Sequence, residues 1–137
     1  MSEEGRITVL LVDDEVGLTG VAKRFLERSG EYHVDVTSSA ADALVLLNKG
    51  QYDAVVSDYL MPDMDGITFL KTVRSGNSTI PFVVFTGKGR EEVVIEALNN
   101  GADFYLQKGG DPVAQFTELQ SKIRKGCLLY TSPSPRD

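Results

Sequence analysis

The chain has 137 residues, of which 42% are hydrophobic and 25% charged, a composition typical of one folded domain and not of a disordered segment. Its formal net charge of −6 argues against direct nucleic-acid binding, which needs a basic surface, and no segment approaches the roughly 18 apolar residues of a membrane span. The single cysteine, Cys127, excludes an intrachain disulfide, and the acidic N-terminus is unlike a signal peptide, so we expect the chain in the cytoplasm.

Short apolar runs alternate with amphipathic stretches from residue 7 onward. The runs are rich in β-branched and aliphatic residues, as buried parallel strands are, and they lie at 7–12, 34–37, 54–56, 82–86 and 104–106. After each run, apolar residues recur three or four positions apart, as on the buried face of a helix. Ser38 or Ser39 can cap the second of these helices, and Asp111 with Pro112 can begin the last one.

Five strand–helix pairs in strict alternation favour an α/β fold. Five pairs are too few for an eightfold barrel, so we predict an open, doubly wound parallel sheet of five strands in the flavodoxin-like order 2-1-3-4-5. We predict one domain over residues 1–125. Residues 126–137 continue no helical pattern, end in two Ser-Pro steps and resemble the translation of a sequencing adaptor, so we interpret them as a non-native tail.

Polar residues lie at the carboxyl ends of four of the predicted strands. Asp13 and Asp14 follow the first strand, Asp58 the third and Lys108 the fifth, and Thr86 is the last residue of the fourth. The carboxyl ends of parallel strands share one edge of the sheet, so the three carboxylates would share a pocket. Their mutual repulsion would be relieved by a hard cation such as Mg²⁺. A carboxylate can itself attack phosphorus, while a lysine and a hydroxyl group neutralise the phosphoryl oxygens.

Four segments, in this order and at this spacing, resemble the receiver domain of response regulators. They are LLVDDE (10–15), VVSDYLMPDMDG (55–66), FVVFTGKG (82–89) and GADFYLQK (101–108), and the resemblance extends over residues 7–125. It implies a two-component signalling switch and not an enzyme with an external substrate. A partner histidine kinase or phosphotransfer protein would supply the phosphoryl group, and a downstream effector would respond to it.

The resemblance also implies a role for individual residues, with Asp58 as the phosphoacceptor. The ligands of Mg²⁺, or of Mn²⁺ in its place, would be Asp13, Asp14, Asp58 and the backbone carbonyl of Leu60. The residues that respond to the phosphoryl group would be Thr86, Lys108 and, at the aromatic switch position, Tyr105. The face made by the fourth helix, fifth strand and fifth helix would then change shape, and two phosphorylated copies could form a dimer. The family usually has proline after the lysine, whereas this chain has Gly109-Gly110.

Two other functions are compatible with the same sheet. An aspartate-nucleophile phosphatase typically has an Asp-x-Asp pair, but Tyr59 and Leu60 follow Asp58, so the second carboxylate is missing. A pseudo-receiver or a flavin-binding module would act by binding alone. The intact acidic residues argue against the former, and the acidic segment 13–15 would repel a flavin phosphate. Asp13 and Asp14 could also serve only as a helix cap, a role that aspartate favours.

Overall fold

The computed structural model describes residues 6–76, 78–87 and 91–131. Among them, five strands form one parallel sheet: β1 (Ile7–Val12), β2 (Tyr32–Thr37), β3 (Ala54–Ser57), β4 (Phe82–Thr86) and β5 (Phe104–Gln107). The helices that alternate with them are α1 (Val16–Glu27), α2 (Ala40–Lys49), α3 (Gly66–Ser75), α4 (Glu91–Asn99) and α5 (Pro112–Thr131). The strand order is β2-β1-β3-β4-β5, so the predicted fold class and topology are confirmed.

The sheet is covered on both faces because its strands carry apolar side chains on both sides. On β1, Val9 and Leu11 belong to one core cluster, whereas Leu10 and Val12 belong to the other. Helices α1 and α5 pack on the first face, and α2, α3 and α4 pack on the second. Successive strand residues point to opposite faces, which explains why these strands are continuous apolar runs and do not alternate with polar residues.

The strand register brings the polar residues that follow the strands to one edge of the sheet. Val12, the last residue of β1, lies opposite Thr37 of β2 and Ser57 of β3. Further along the sheet, Thr86 at the end of β4 lies opposite Gln107 of β5. The residues directly after these positions therefore begin the loops of a single site.

β3 and β5 each extend one residue further than predicted, and two other boundaries differ by more than that. β2 begins at Tyr32, whose buried ring completes the apolar face of the strand. The prediction that the chain continues no helix after residue 125 is wrong, because α5 runs to Thr131. Gly126 is buried there, and a Cβ atom on it would lie 2.9 Å from the side chain of Pro81. Cys127 packs against the first core cluster. Whether residues 126–137 are foreign stays a prediction, and residues 132–137 lie outside the described part.

None of the helices in the described part of the chain combines the length and the hydropathy needed to cross a membrane.

Candidate functional site

Three carboxylates meet where β1 and β3 end. Asp13, Asp14 and Asp58 each offer an oxygen atom, and these oxygens all lie within 4.8 Å of one another. Asp13 and Asp58 are buried, at 2% and 7% exposure, whereas Asp14 is exposed to solvent. Backbone hydrogen bonds fix the two buried residues: Asp13 donates to the carbonyl of Thr37 (3.0 Å) and Asp58 to that of Val12 (2.9 Å). The sheet thus brings together the carboxylates that were predicted to share a pocket.

Lys108 places its ammonium group among these acids. Its Nζ atom lies 2.7 Å from Asp13 Oδ2 and 3.1 Å from Asp58 Oδ2. It also lies 2.8 Å from Glu15 Oε1, a carboxylate that the sequence did not single out although it directly follows the acidic pair. The backbone N–H of Lys108 donates to the carbonyl of Thr86 (2.8 Å), which continues the pairing of β4 with β5. One cation is therefore shared among several carboxylates.

The electrostatics of the site follow from burial and this shared lysine. Burial raises the pKa of Asp13, although hydrogen bonds from the Lys108 ammonium and the Glu15 amide oppose the rise. Burial by itself would lower the pKa of Lys108, but hydrogen bonds to Asp13 and Glu15 outweigh it and raise that pKa above its ordinary value. Lys108 is thus firmly cationic, yet its single charge does not balance the acidic cluster.

A cavity of about 730 Å³ opens above the carboxylates, and Thr86, Leu60 and Lys108 line it together with Asp14 and Asp58. The side chain of Leu60 is 52% exposed. The structure therefore places Thr86, which the strand ends predicted for this pocket, and Leu60, which the resemblance implied, in the cavity beside the acidic cluster.

Tyr105 occupies a different place from the other predicted residues. It lies opposite Val84 in the sheet, and its half-buried ring packs against the second core cluster. Helix α4 contributes Val93 and Ala97 to that cluster. Tyr105 thus packs against the same core cluster as α4.

The glycines after Lys108 give the following loop its shape. Gly109 and Gly110 have φ angles of 123° and 82°, in the region that residues with a Cβ atom rarely adopt. The N–H of Gly109 donates to Gln115 Oε1 near the start of α5, a bond that proline could not make. Every peptide bond among the described residues is trans. The two glycines thus connect β5 to α5 in a different way from the proline that is usual in the family that this chain resembles.

The donor set suits a hard divalent cation. Carboxylate oxygens are the preferred ligands of Mg²⁺, which binds through a few of them and keeps several waters. Asp14 is exposed, so an ion held by the cluster would remain open to water and to a phosphoryl oxygen. Asp13 and Asp58 would supply negative charge from the buried side. The residues present therefore fit this ion chemically.

The family model described as the response regulator receiver domain matches residues 9–122. The chain belongs to this family. The Synechocystis response regulator Rre1 is 35% identical over 120 residues, which cover 86% of this chain and 50% of Rre1. The transcriptional regulatory protein ZraR of Salmonella typhimurium is 36% identical over 127 residues, covering 93% of this chain and 27% of ZraR. This receiver domain therefore spans half or less of the length of these relatives.

Solved structures of response regulators and their receiver domains have the same fold as this chain. The receiver domain of a Francisella response regulator has a TM-score of 0.77 and 29% identity, with coverage of 88% of this chain and 98% of that one. TrrA of Thermotoga maritima, solved in complex with Mg²⁺ and BeF, has a TM-score of 0.75 and 26% identity, covering 87% and 97%. Receiver domains are signalling switches of two-component systems, and the acidic pocket of this one is consistent with a phosphoacceptor site that binds Mg²⁺.

Proposed function

We propose that Asp58 accepts a phosphoryl group from the phosphohistidine of a partner histidine kinase or phosphotransfer protein. The observation that supports this most directly is a buried carboxylate that faces both a lysine ammonium, at 3.1 Å, and two further carboxylates. An Asp58 oxygen forms the new P–O bond while the P–N bond to the histidine breaks. The histidine nitrogen keeps the electron pair of that bond and later takes up a proton.

The ligands of the metal ion would be Asp13, Asp14, Asp58 and the backbone carbonyl of Leu60. Bound Mg²⁺, or Mn²⁺ in its place, would supply positive charge to the phosphoryl oxygens. The Mg²⁺ complex of TrrA and the spacing of the three carboxylates support this assignment. Asp58 itself is oriented for the reaction because its Oδ1 accepts a hydrogen bond from the Tyr59 amide at 2.7 Å.

The response to phosphorylation would begin with Lys108 and Thr86. The Lys108 ammonium already lies beside Asp58 and would pair with the added phosphoryl oxygens, while the buried Thr86 hydroxyl would turn to donate to them. Tyr105 would follow by moving toward the space near Thr86. Moving such an equilibrium from 1:99 to 99:1 takes about 5.5 kcal/mol of differential binding, which several charge-assisted contacts together could supply.

The output would be a changed interaction face on α4, β5 and α5. Ile95, Leu98 and Val113 are exposed apolar residues on these two helices, which suits contact with an effector or with a second copy of the chain. Comparison of sedimentation before and after phosphorylation would test the dimer. The net charge of −6 supports a protein and not a nucleic acid as the direct partner.

Incubation with acetyl phosphate and Mg²⁺, followed by intact-mass measurement, tests the phosphoacceptor. The unmodified chain should gain the mass of one phosphoryl group, and Asp58→Ala should gain none. Asp42→Ala is the matched control, because it removes an exposed carboxylate from α2 and should be labelled like the unmodified chain. No added mass on the unmodified chain, or equal labelling of Asp58→Ala, would contradict the proposal.

We further propose that the switch works in the cytoplasm and catalyses only the uptake and loss of its own phosphoryl group. Family membership supports both statements. For the chain itself, we propose that residues 1–125 are the natural domain and that residues 126–137 are foreign. An uninterrupted reading frame through residue 137 at the source locus would disprove that assignment.

A further inference from the structure

The side chain of Asp63, which lies in the loop between β3 and α3, caps the start of helix α2. Asp63 Oδ2 accepts a hydrogen bond from the N–H of Ala41 at 2.8 Å, and Oδ1 accepts one from the N–H of Ala40 at 3.2 Å. These bonds span 22 and 23 residues of sequence, so they join two separate elements. The same loop contains Leu60, whose carbonyl is a proposed metal ligand.

Helix α2 has a second cap that comes from its own segment. Ser39 Oγ accepts a hydrogen bond from the N–H of Asp42 at 3.1 Å, in the usual geometry of an N-cap. The two additional hydrogen bonds that Asp63 accepts therefore do more than cap the helix. They connect the β3–α3 loop to the start of α2.

The segment before α2 also touches the acidic cluster. The carbonyl of Thr37, the last residue of β2, accepts the backbone hydrogen bond of Asp13 at 3.0 Å. A path of contacts thus leads from Asp13 through Thr37 and the start of α2 to Asp63, and back along the loop to Asp58. Through this path Asp63 connects the segment after β1, which carries Asp13, with the loop after β3, which begins at Asp58.

Packing also supports the loop, because Tyr59, Met61 and Met64 pack against the second core cluster. Leu60 itself is 52% exposed, so its side chain takes little part in that packing. Next to it, Met61 Sδ is 3.9 Å from Ser57 Oγ, which is a weak contact. The Ala41 amide lowers the pKa of Asp63, so this side chain is ionised at neutral pH and suits the positive end of a helix dipole. The fixed start of α2 can therefore orient the loop.

We propose that Asp63 is a positioning residue, which holds the β3–α3 loop and its Leu60 carbonyl in the geometry that accepts Mg²⁺. This inference rests on the proposed phosphoacceptor function. Asp63 is not among the residues that line the cavity, so it would act only through the loop. Partners that orient metal ligands from outside typically change metal affinity by about 10–100-fold when removed.

The Mg²⁺ concentration that gives half of the maximal labelling rate with acetyl phosphate tests the inference. Asp63→Ala should raise this concentration about tenfold, because the loop ligand becomes less well ordered. Ser39→Ala is the matched control: it removes the other cap of the same helix and should leave the Mg²⁺ requirement unchanged. Asp63→Asn keeps one carbonyl oxygen for the α2 amides and should restore part of the affinity.

The possible outcomes separate this inference from the function on which it rests. If the unmodified chain is not labelled, or is labelled equally well without Mg²⁺, both proposals fail. If it is labelled with Mg²⁺ and a folded Asp63→Ala has the same Mg²⁺ requirement, only the role of Asp63 fails. An equal shift in Ser39→Ala would also overturn it, because the effect would then belong to α2 as a whole. Thermal unfolding reports folding, and Asp63→Asn replaces the alanine variant if that one does not fold.

Discussion

Gly66 is the first residue of α3, and its backbone lies very close to the backbone of Asp58. A Cβ atom at Gly66 would lie 2.4 Å from the Asp58 carbonyl oxygen and 3.0 Å from Tyr59 Cα. The N–H of Gly66 also donates to the Tyr59 carbonyl at 2.7 Å. These are backbone atoms of a short loop, so they cannot move aside as the end of a flexible side chain could. The close approach sets the shape of the loop directly after the candidate phosphoacceptor.

Replacement of Gly66 by alanine should therefore destabilise the protein by about 1–3 kcal/mol, the usual cost of overpacking. Gly20→Ala is the matched control, because a Cβ atom at Gly20 meets nothing within 4 Å and the residue lies inside α1. That control should stabilise the chain by about 0.5–1 kcal/mol through helix propensity. Urea unfolding of both variants measures the two effects. An equal change in the two variants would contradict the steric explanation.

At the scale of elements, the sequence predicted each strand of the sheet because each is a short apolar run between polar turns. It placed the start of β2 too late, because His33 and Asp35 interrupt the apolar pattern while Tyr32 and Val34 remain buried. It also ended α5 too early, because residues 126–137 show no helical pattern and end in two Ser-Pro steps. Within this helix Gly126 lies close to Pro81, and sequence spacing carries no sign of that tertiary contact.

A carboxylate joins the end of α1 to β2. Glu27 Oε2 accepts a hydrogen bond from the N–H of Val34 at 2.8 Å and lies 2.9 Å from Lys23 Nζ. Burial opposes its ionisation, but the Val34 amide and the Lys23 ammonium outweigh that effect and hold the pKa of Glu27 below its ordinary value of 4.5. A carboxyl group whose pKa is lowered on folding adds stability above its unfolded pKa and loses it as the pH falls through the folded pKa.

Glu27→Gln should therefore cost about 1 kcal/mol at pH 7, a value kept small because the side chain is 31% exposed and glutamine can still accept the Val34 hydrogen bond. The difference from the unmodified chain should shrink once the pH falls below about 4.5 and approach zero at still lower pH. Urea unfolding across this pH range measures it. Glu118→Gln on the exposed side of α5 is the control and should change stability by less than about 0.5 kcal/mol. A Glu27→Gln cost that grows as the pH falls would contradict the assignment.

At the scale of the whole molecule, the topology explains why so much of the site could be predicted. Parallel strands bring their carboxyl ends to one edge, so residues far apart in sequence, such as Asp13 and Lys108, meet at 2.7 Å. The contacts of Glu15 with Lys108 and of Asp63 with α2 could not be predicted in this way. They depend on the directions that side chains take from loops, and no periodic pattern in the sequence encodes those directions.

The carboxylates at this edge outnumber the single lysine among them, which predicts that Mg²⁺ stabilises the whole fold against unfolding. An ion that binds the folded chain and not the unfolded one adds about 2.7 kcal/mol of stability at one hundred times its Kd. Urea unfolding in increasing MgCl₂ should show this gain, whereas NaCl of equal ionic strength should give much less. Asp14→Asn removes an exposed carboxylate that we propose as a ligand, so it should leave the metal-free stability unchanged or raise it slightly by reducing carboxylate repulsion, and it should reduce the gain from Mg²⁺. A full gain in Asp14→Asn, or an equal gain from NaCl, would show that the stabilisation arises from general screening of the −6 charge and not from the carboxylate cluster.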